Sequence, residues 1–307
     1  MSYLYSIGYS LYSNLFTYLP RNNNYEFIKI YNNGTLILLK ENLIDIHLPT
    51  LVIIPGTTGD TENLLFSQIV DKFIDNSFNV IFILQQGQKL NKKDPIPIET
   101  PRCVSFVDIG DIEYAMTFIK EKYKNKIFML GVSFGAVLMK KYLYIDNEVV
   151  CGISISSPWN LRKILMQWES SWLIKKLYDR DFTNHYKNVI LKNIDIFKKY
   201  EEENPKFKIA DMLEARDIQE ILKFHLIYYN YNSMDDYLAD SKVKIRNVKK
   251  PVLFIHSKDD PICSINNMPI HKIKEPHKLH ITEYGGHAGY IKDIEILCLD
   301  WCKSFLS

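Results

Sequence analysis

The 307-residue chain lacks the marks of several protein classes. No two cysteines are spaced as CxxC and no Cys/His cluster has zinc-ligand spacing, which leaves no sign of a zinc module or a thioredoxin-type redox pair. The five cysteines (Cys103, Cys151, Cys263, Cys298, Cys302) are scattered, and their odd number means they cannot all pair within the chain. Cys298 and Cys302, four residues apart on an expected C-terminal helix, read as small apolar residues facing a core. Such usage fits a reducing, intracellular compartment. Net charge is also nearly missing: 38 basic against 36 acidic residues give +2. With no run of like charges, no field favours nucleic acid as a partner. No internal repeat or low-complexity linker divides the sequence.

Side-chain charge is absent from residues 1–20, before Arg21. Leu4, Ile7, Leu11, Leu15, Tyr18 and Leu19 would form one apolar stripe of a helix, with Ser6, Ser10, Ser13 and Thr17 between them. The absence of a basic n-region and a small-residue cleavage site argues against a signal peptide, and the interleaved hydroxyls argue against a membrane span. Two readings stay open: a helix packed on the protein body, or one lying on a membrane as a peripheral contact. The run Asn22-Asn23-Asn24 reads as an exposed loop.

What is present is a 47% hydrophobic chain, long enough for a substantial core. Short apolar runs at Thr35–Leu39, Leu51–Ile54, Val80–Leu84, Ile127–Leu130 and Val149–Ile155 alternate with helical spacing at Leu64–Phe73, Ile109–Tyr123 and Ala136–Tyr144. That alternation predicts a mostly parallel sheet flanked by helices, an α/β fold. From about Trp159 to Asn247 the pattern is helical and aromatic, then strand signals resume at Val252–His256 and Leu279–Tyr284 before a closing helix. One domain follows over residues 1–307, with a core at about 25–158 and 248–307 and an inserted helical cap at about 159–247.

Gly131-Val132-Ser133-Phe134-Gly135 joins an apolar strand to a helix. A serine hydroxyl is a weak nucleophile and must project into a site beside a base and oxyanion donors. A tight strand-to-helix turn does this, but admits only small residues beside the serine. Downstream, Val252–His256 runs into Ser257-Lys258-Asp259-Asp260, and the next strand into Gly285-Gly286-His287. The order serine, acid, histidine nominates Ser133, Asp260 and His287, with Asp259 the lesser candidate acid, suited to capping a turn, and His256 a structural donor. Pro55-Gly56-Thr57-Thr58-Gly59 follows the Leu51–Ile54 strand, so the amides of Thr57 and Phe134 are the expected oxyanion donors. The alternative, a plain glycine-rich turn, stays open there. No Gly-Lys-Ser/Thr follows, against a phosphate-binding loop.

With these residues assembled, the chain resembles the YheT-like branch of the α/β-hydrolases, which includes membrane-tethered ABHD lipid hydrolases and yeast medium-chain acyl ester synthases/esterases. The matching segments are PGTTGD (55–60), TPR (100–102), GVSFGAVLMKKYL (131–143), KKLYDRDFT (175–183), KKPVLFIHSKDDP (249–261) and TEYGGHAGYI (282–291). The resemblance implies the α/β-hydrolase fold, a serine esterase or lipase activity through Ser133, Asp260 and His287, and neither metal nor organic cofactor. Gln86-Gly87 stands where the branch usually has Arg-Gly, Arg216-Asp217 where it has Arg-Thr, and Phe134 where it has leucine. The expected substrate is a medium- or long-chain acyl ester or lipid, the expected location cytoplasmic or peripheral to a membrane. Acyl transfer to an alcohol, or a silent binding scaffold, are the competing readings. An H-x-x-x-x-D acyltransferase motif begins at none of the eight histidines. Ile164, Trp168, Trp172, Leu173, Leu177 and Phe182 are expected either to cover the core or to line an acyl tunnel.

Overall fold

The computed structural model describes residues 25–59, 61–89, 96–290 and 293–306; the stripe at 1–20 and the Asn22–Asn24 loop lie outside them. Among the described residues one sheet holds eight strands. These are β1 (Glu26–Asn32), β2 (Thr35–Asn42), β3 (Thr50–Ile54), β4 (Asn79–Gln85), β5 (Ile127–Val132), β6 (Gly152–Ile155), β7 (Val252–Ser257) and β8 (Lys278–Thr282). Their order is β1-β2-β4-β3-β5-β6-β7-β8. β2 runs antiparallel to both β1 and β4, and every pair from β4 to β8 is parallel. The expected mostly parallel sheet is therefore present, with an antiparallel edge.

Strand β1 is an element the strand pattern left unread. It pairs with β2 through Asn33-Gly34, both at positive φ, the backbone demanded by a two-residue hairpin turn. The Asn-Gly dipeptide was the available signal.

The parallel strands are apolar on both sides because both faces are covered. Val52, Ile54, Ile81, Ile83 and Met129 share one cluster with α2 (Gly110–Lys122) and α3 (Phe134–Ile145). Their sequence neighbours Leu51, Ile53, Val80, Phe82, Phe128 and Leu130 share the other with α1 (Leu64–Ile74) and α10 (Ile294–Lys303). The strand period of two thus becomes two cores back to back, each fully buried Ile, Leu or Phe contributing roughly 1.5–3 kcal/mol. Cys151, Cys263, Cys298 and Cys302 are buried and all five thiols are free, as core usage predicts.

Between β6 and β7 the chain is helical. It passes through α4 (Leu161–Ser170), a turn at Trp172–Ile174, a π-helical turn at Lys175–Asp179, then α5 (Arg180–Lys192) and α6 (Ile194–Glu203). α7 (Ile209–Glu214), α8 (Ile218–Tyr228) and α9 (Met234–Asp240) complete it. Leu161, Ile164, Leu165, Trp168, Ile218 and Leu222 continue the first sheet cluster upward, while Val189, Ile190, Phe197, Phe207, Met212 and Phe224 close a separate one with Ile98. The Trp168 indole donates to the Ile262 carbonyl at 3.0 Å and the Gln167 amide to Pro261 at 3.4 Å. α4 is thereby tied to the loop that leaves β7.

Candidate active site

Strand β5 ends at Val132 and α3 begins at Phe134, which leaves Ser133 alone in the turn. The helix starts two residues earlier than its apolar spacing predicts. Ser133 sits at φ 52°, ψ −119°, a strained conformation for a side chain with a Cβ and one that thrusts Oγ away from the sheet. Its amide is held by the Ile155 carbonyl at 2.9 Å. The small flanking residues have a steric cause. A Cβ on Gly135 would run into the carbonyl oxygens of Ile54 and Pro55, and one on Gly131 would come within 2.5 Å of Ala136 Cα.

His287 meets Ser133 from the loop after β8. Its Nε2 lies 2.9 Å from Ser133 Oγ, and its Nδ1 lies 2.9 and 3.1 Å from the two carboxylate oxygens of Asp260. Asp260 Oδ1 also accepts from the amides of Ile262 and Cys263 at 2.9 and 2.8 Å, which fixes the carboxylate behind the ring. Asp260 is 4% exposed, whereas the His287 side chain is 11% exposed and opens toward the serine. The structure therefore brings Ser133, His287 and Asp260 into one hydrogen-bonded line.

Asp259 is not a turn cap. Its Oδ1 accepts from the Gly286 amide at 2.9 Å, and Ser257 Oγ donates to the Gly286 carbonyl at 2.7 Å. Both brace the backbone one residue before the imidazole, a role invisible in the sequence because the contact spans 27 positions. His256 is buried, donates from Nε2 to the Cys263 carbonyl at 2.6 Å, and has its pKa lowered by burial against the opposing pull of Asp260. It is the structural donor expected.

Thr57 lines a cavity beside Ser133, and Phe134 supplies the first amide of α3. The Thr57 loop is pinned: Gln88 Nε2 donates to the Gly56 carbonyl at 2.8 Å and the Lys89 amide to Thr58 at 2.6 Å. A Cβ on Gly56 would lie 3.6 Å from Ser133 Cβ, so this backbone passes directly against the nucleophile. Gln86, standing where the resembled branch usually has arginine, donates to the carbonyls of Thr100 and Arg102 at 3.0 and 2.7 Å. Arg102 in turn bonds Asp108 at 2.8 Å and pairs with Asp111. That network carries the TPR segment structurally.

Two spaces meet at Ser133. One, of about 50 Å³, is apolar and runs between Leu161, Ile164, Leu165, Trp168, Ile218 and Leu222. The other, of about 130 Å³, is more polar and is bordered by Thr58, Asn63, Tyr178, Asp181 and His287. Phe182 and Ile262 border both. Of the apolar residues expected to cover the core or line a tunnel, Ile164, Trp168 and Phe182 do line the cavity, and Leu177 packs against the core. Trp172 does neither, being 72% exposed.

Asp260, Cys263 and His287 offer ligand atoms within 4.8 Å of one another. Two of the three are the carboxylate and imidazole already bonded together, and burial pushes the Cys263 thiol well above its ordinary pKa. Behind the elbow, Lys140 is fully buried, donates to Ser157 Oγ at 2.5 Å, and is driven well below the usual amine range by desolvation.

A buried acid, an imidazole and a strained serine above a mostly parallel sheet define the α/β-hydrolase class. No family model matches the chain. It is 26% identical over 258 residues to a monoacylglycerol lipase of Saccharomyces cerevisiae, covering 80% of this chain and 55% of that protein. It is 23% identical over 261 residues to phospholipase ABHD3 of Homo sapiens, covering 80% and 59%. The chain thus spans little more than half the length of these relatives. Among solved structures, an esterase of Pyrococcus furiosus, Pf2001, superimposes with a TM-score of 0.57 at 13% identity, covering 92% of this chain and 94% of that one. Fold and relatives agree: the chain has the α/β-hydrolase fold. In sequence it is similar to proteins named as lipases and phospholipases.

Proposed function

We propose that the protein is a serine hydrolase of carboxylic esters with medium- or long-chain acyl groups, and the line Ser133–His287–Asp260 carries that reading. His287 Nε2 takes the Ser133 proton as Oγ attacks the acyl carbonyl, and Asp260 stabilises the imidazolium through Nδ1. The Thr57 and Phe134 amides hold the tetrahedral oxyanion, each contributing on the order of 3 kcal/mol in the transition state. The protonated ring then gives its proton to the leaving alcohol, and the Ser133 acyl-enzyme forms. Water, deprotonated by the same imidazole, releases the acid and restores the hydroxyl. No step asks for a metal or organic cofactor.

The two spaces divide the two sides of the ester between them. The apolar slot beneath α4 and α8 takes the acyl chain, and the polar mouth at Asn63, Tyr178 and Asp181 takes the alcohol side. The helices between β6 and β7 act as a cap over both. No helix among the described residues is long and apolar enough to cross a membrane; residues 1–20 remain the candidate for peripheral membrane contact.

The test pairs a fluorophosphonate probe with a p-nitrophenyl ester series of increasing acyl length. The wild type is expected to label and to prefer medium or long chains, and Ser133→Ala to do neither. Labelling that survives in Ser133→Ala removes the nucleophile assignment.

A further inference from the structure

The stretch from Trp172 through α5 presents two faces. Tyr178, Asp181 and Phe182 border the mouth of the site. Lys175, Lys176, Arg180 and Lys187 instead surround a broad surface basin of about 510 Å³, closed by Trp172 and by Glu214 and Arg216. Lys175 pairs with Asp217 at 3.7 Å and Arg216 with Glu220 at 3.4 Å. Among the described residues no carboxylate lies within ion-pair distance of Lys176, Arg180 or Lys187, and Glu214 is the acidic residue lining the basin. A nearly neutral protein therefore concentrates uncompensated positive charge on one concave face.

At the rim stands Trp172, 72% exposed, with the Lys176 ammonium 4.9 Å from its ring centre. Met166, on the outer face of α4, is 63% exposed. An indole held in water loses the hydrophobic stabilisation its area offers, whereas at a lipid headgroup boundary its apolar body and N–H are both satisfied. Lysines flanking it extend their charge toward anionic headgroups while their stems stay in the interface.

We propose that this basin docks the protein on a bilayer carrying anionic lipids, with Trp172 entering the headgroup layer. The stretch of helix that floors the basin also carries, on its other face, one wall of the mouth. The surface uses none of residues 1–20, and its binding does not depend on the catalytic reading.

The test is flotation of the full chain with vesicles of phosphatidylcholine alone and of phosphatidylcholine with about one-third phosphatidylserine, at low and high salt. The expected preference for the anionic vesicles is about tenfold or more and falls with salt. The triple variant Lys176→Glu, Arg180→Glu, Lys187→Glu is expected to lose that preference while keeping wild-type turnover of a water-soluble short ester, which reports an intact fold and site. Trp159, Trp168 and Trp301 are buried, so quenching of emission by brominated lipid is expected to vanish in Trp172→Phe. A triple variant that keeps the preference, a wild type with none, or quenching that survives in Trp172→Phe each overturns the proposal. Capture by an anionic polymer without vesicle binding overturns it as well.

Discussion

Histidines in the sheet's loops and histidines in the helices above it meet opposite fates. His287, on the loop after β8, is bonded on both ring nitrogens, to Ser133 and to Asp260. His185 on α5 and His225 on α8 are buried among helices, and desolvation pushes both pKa values down to about 4. His225 Nδ1 meets the Tyr237 hydroxyl at 2.9 Å, and its Nε2 finds no partner among the described atoms. Burial alone silences an imidazole. A carboxylate on one side and a proton donor on the other make it a base.

The sharpest way to break this comparison is to remove the carboxylate behind the ring. Asp260→Asn is expected to lower kcat about 10⁴-fold, since the amide favours the wrong tautomer of His287. Asp259→Asn keeps an acceptor for the Gly286 amide and is expected to cost less than about tenfold. Steady-state kinetics on a p-nitrophenyl ester reads both. A larger loss in Asp259→Asn would exchange the two roles.

Next in size is the turn itself. Gly135→Ala places a Cβ against the backbone carbonyls of Ile54, the last residue of β3, and of Pro55 just after it. A loss of about 3 kcal/mol or more in chemical unfolding is expected, together with lost probe labelling. The helices should be more forgiving. Leu222→Trp, in the wall of the apolar slot, is expected to cut kcat/KM for long acyl esters about tenfold and leave the shortest nearly unchanged. Equal losses at every length would remove the slot from acyl recognition.

The same division separates what was legible in the sequence from what was not. Strands β3, β4 and β5 and the elbow at Ser133 could be read because each is a local pattern, an apolar run closed by glycine. The order of Asp260 and His287 could be read because those loops leave adjacent strands. β1 gives little strand signal despite Asn33-Gly34, since Glu26–Asn32 has one exposed face and little apolar continuity. Asp259 bracing Gly286 and Gln86 holding Thr100 depend on backbone positions that no local pattern encodes. Trp172 shows the limit most plainly. Its helical spacing matches Trp168, yet the chain breaks at Ser171 and turns the indole into solvent.

The smallest expected effect sharpens the comparison of the histidines. His185, His225 and His256 all have folded pKa values below the ordinary 6.5, with burial the leading cause in each. Below about pH 6.5 the unfolded chain takes up protons that the folded chain refuses, so stability is full above that pH and declines as pH falls toward about 4. At pH 5.5 His185 and His225 each cost on the order of 1 kcal/mol. Unfolding by urea is expected to show a flat midpoint from pH 8 to about 6.5 and a falling one below it. His225→Phe, which removes a titrating group but fills the same space, is expected to shallow that fall by about one proton. A slope unchanged in His225→Phe would mean that the ring is already charged when folded, and the contrast with His287 would then rest on the carboxylate alone.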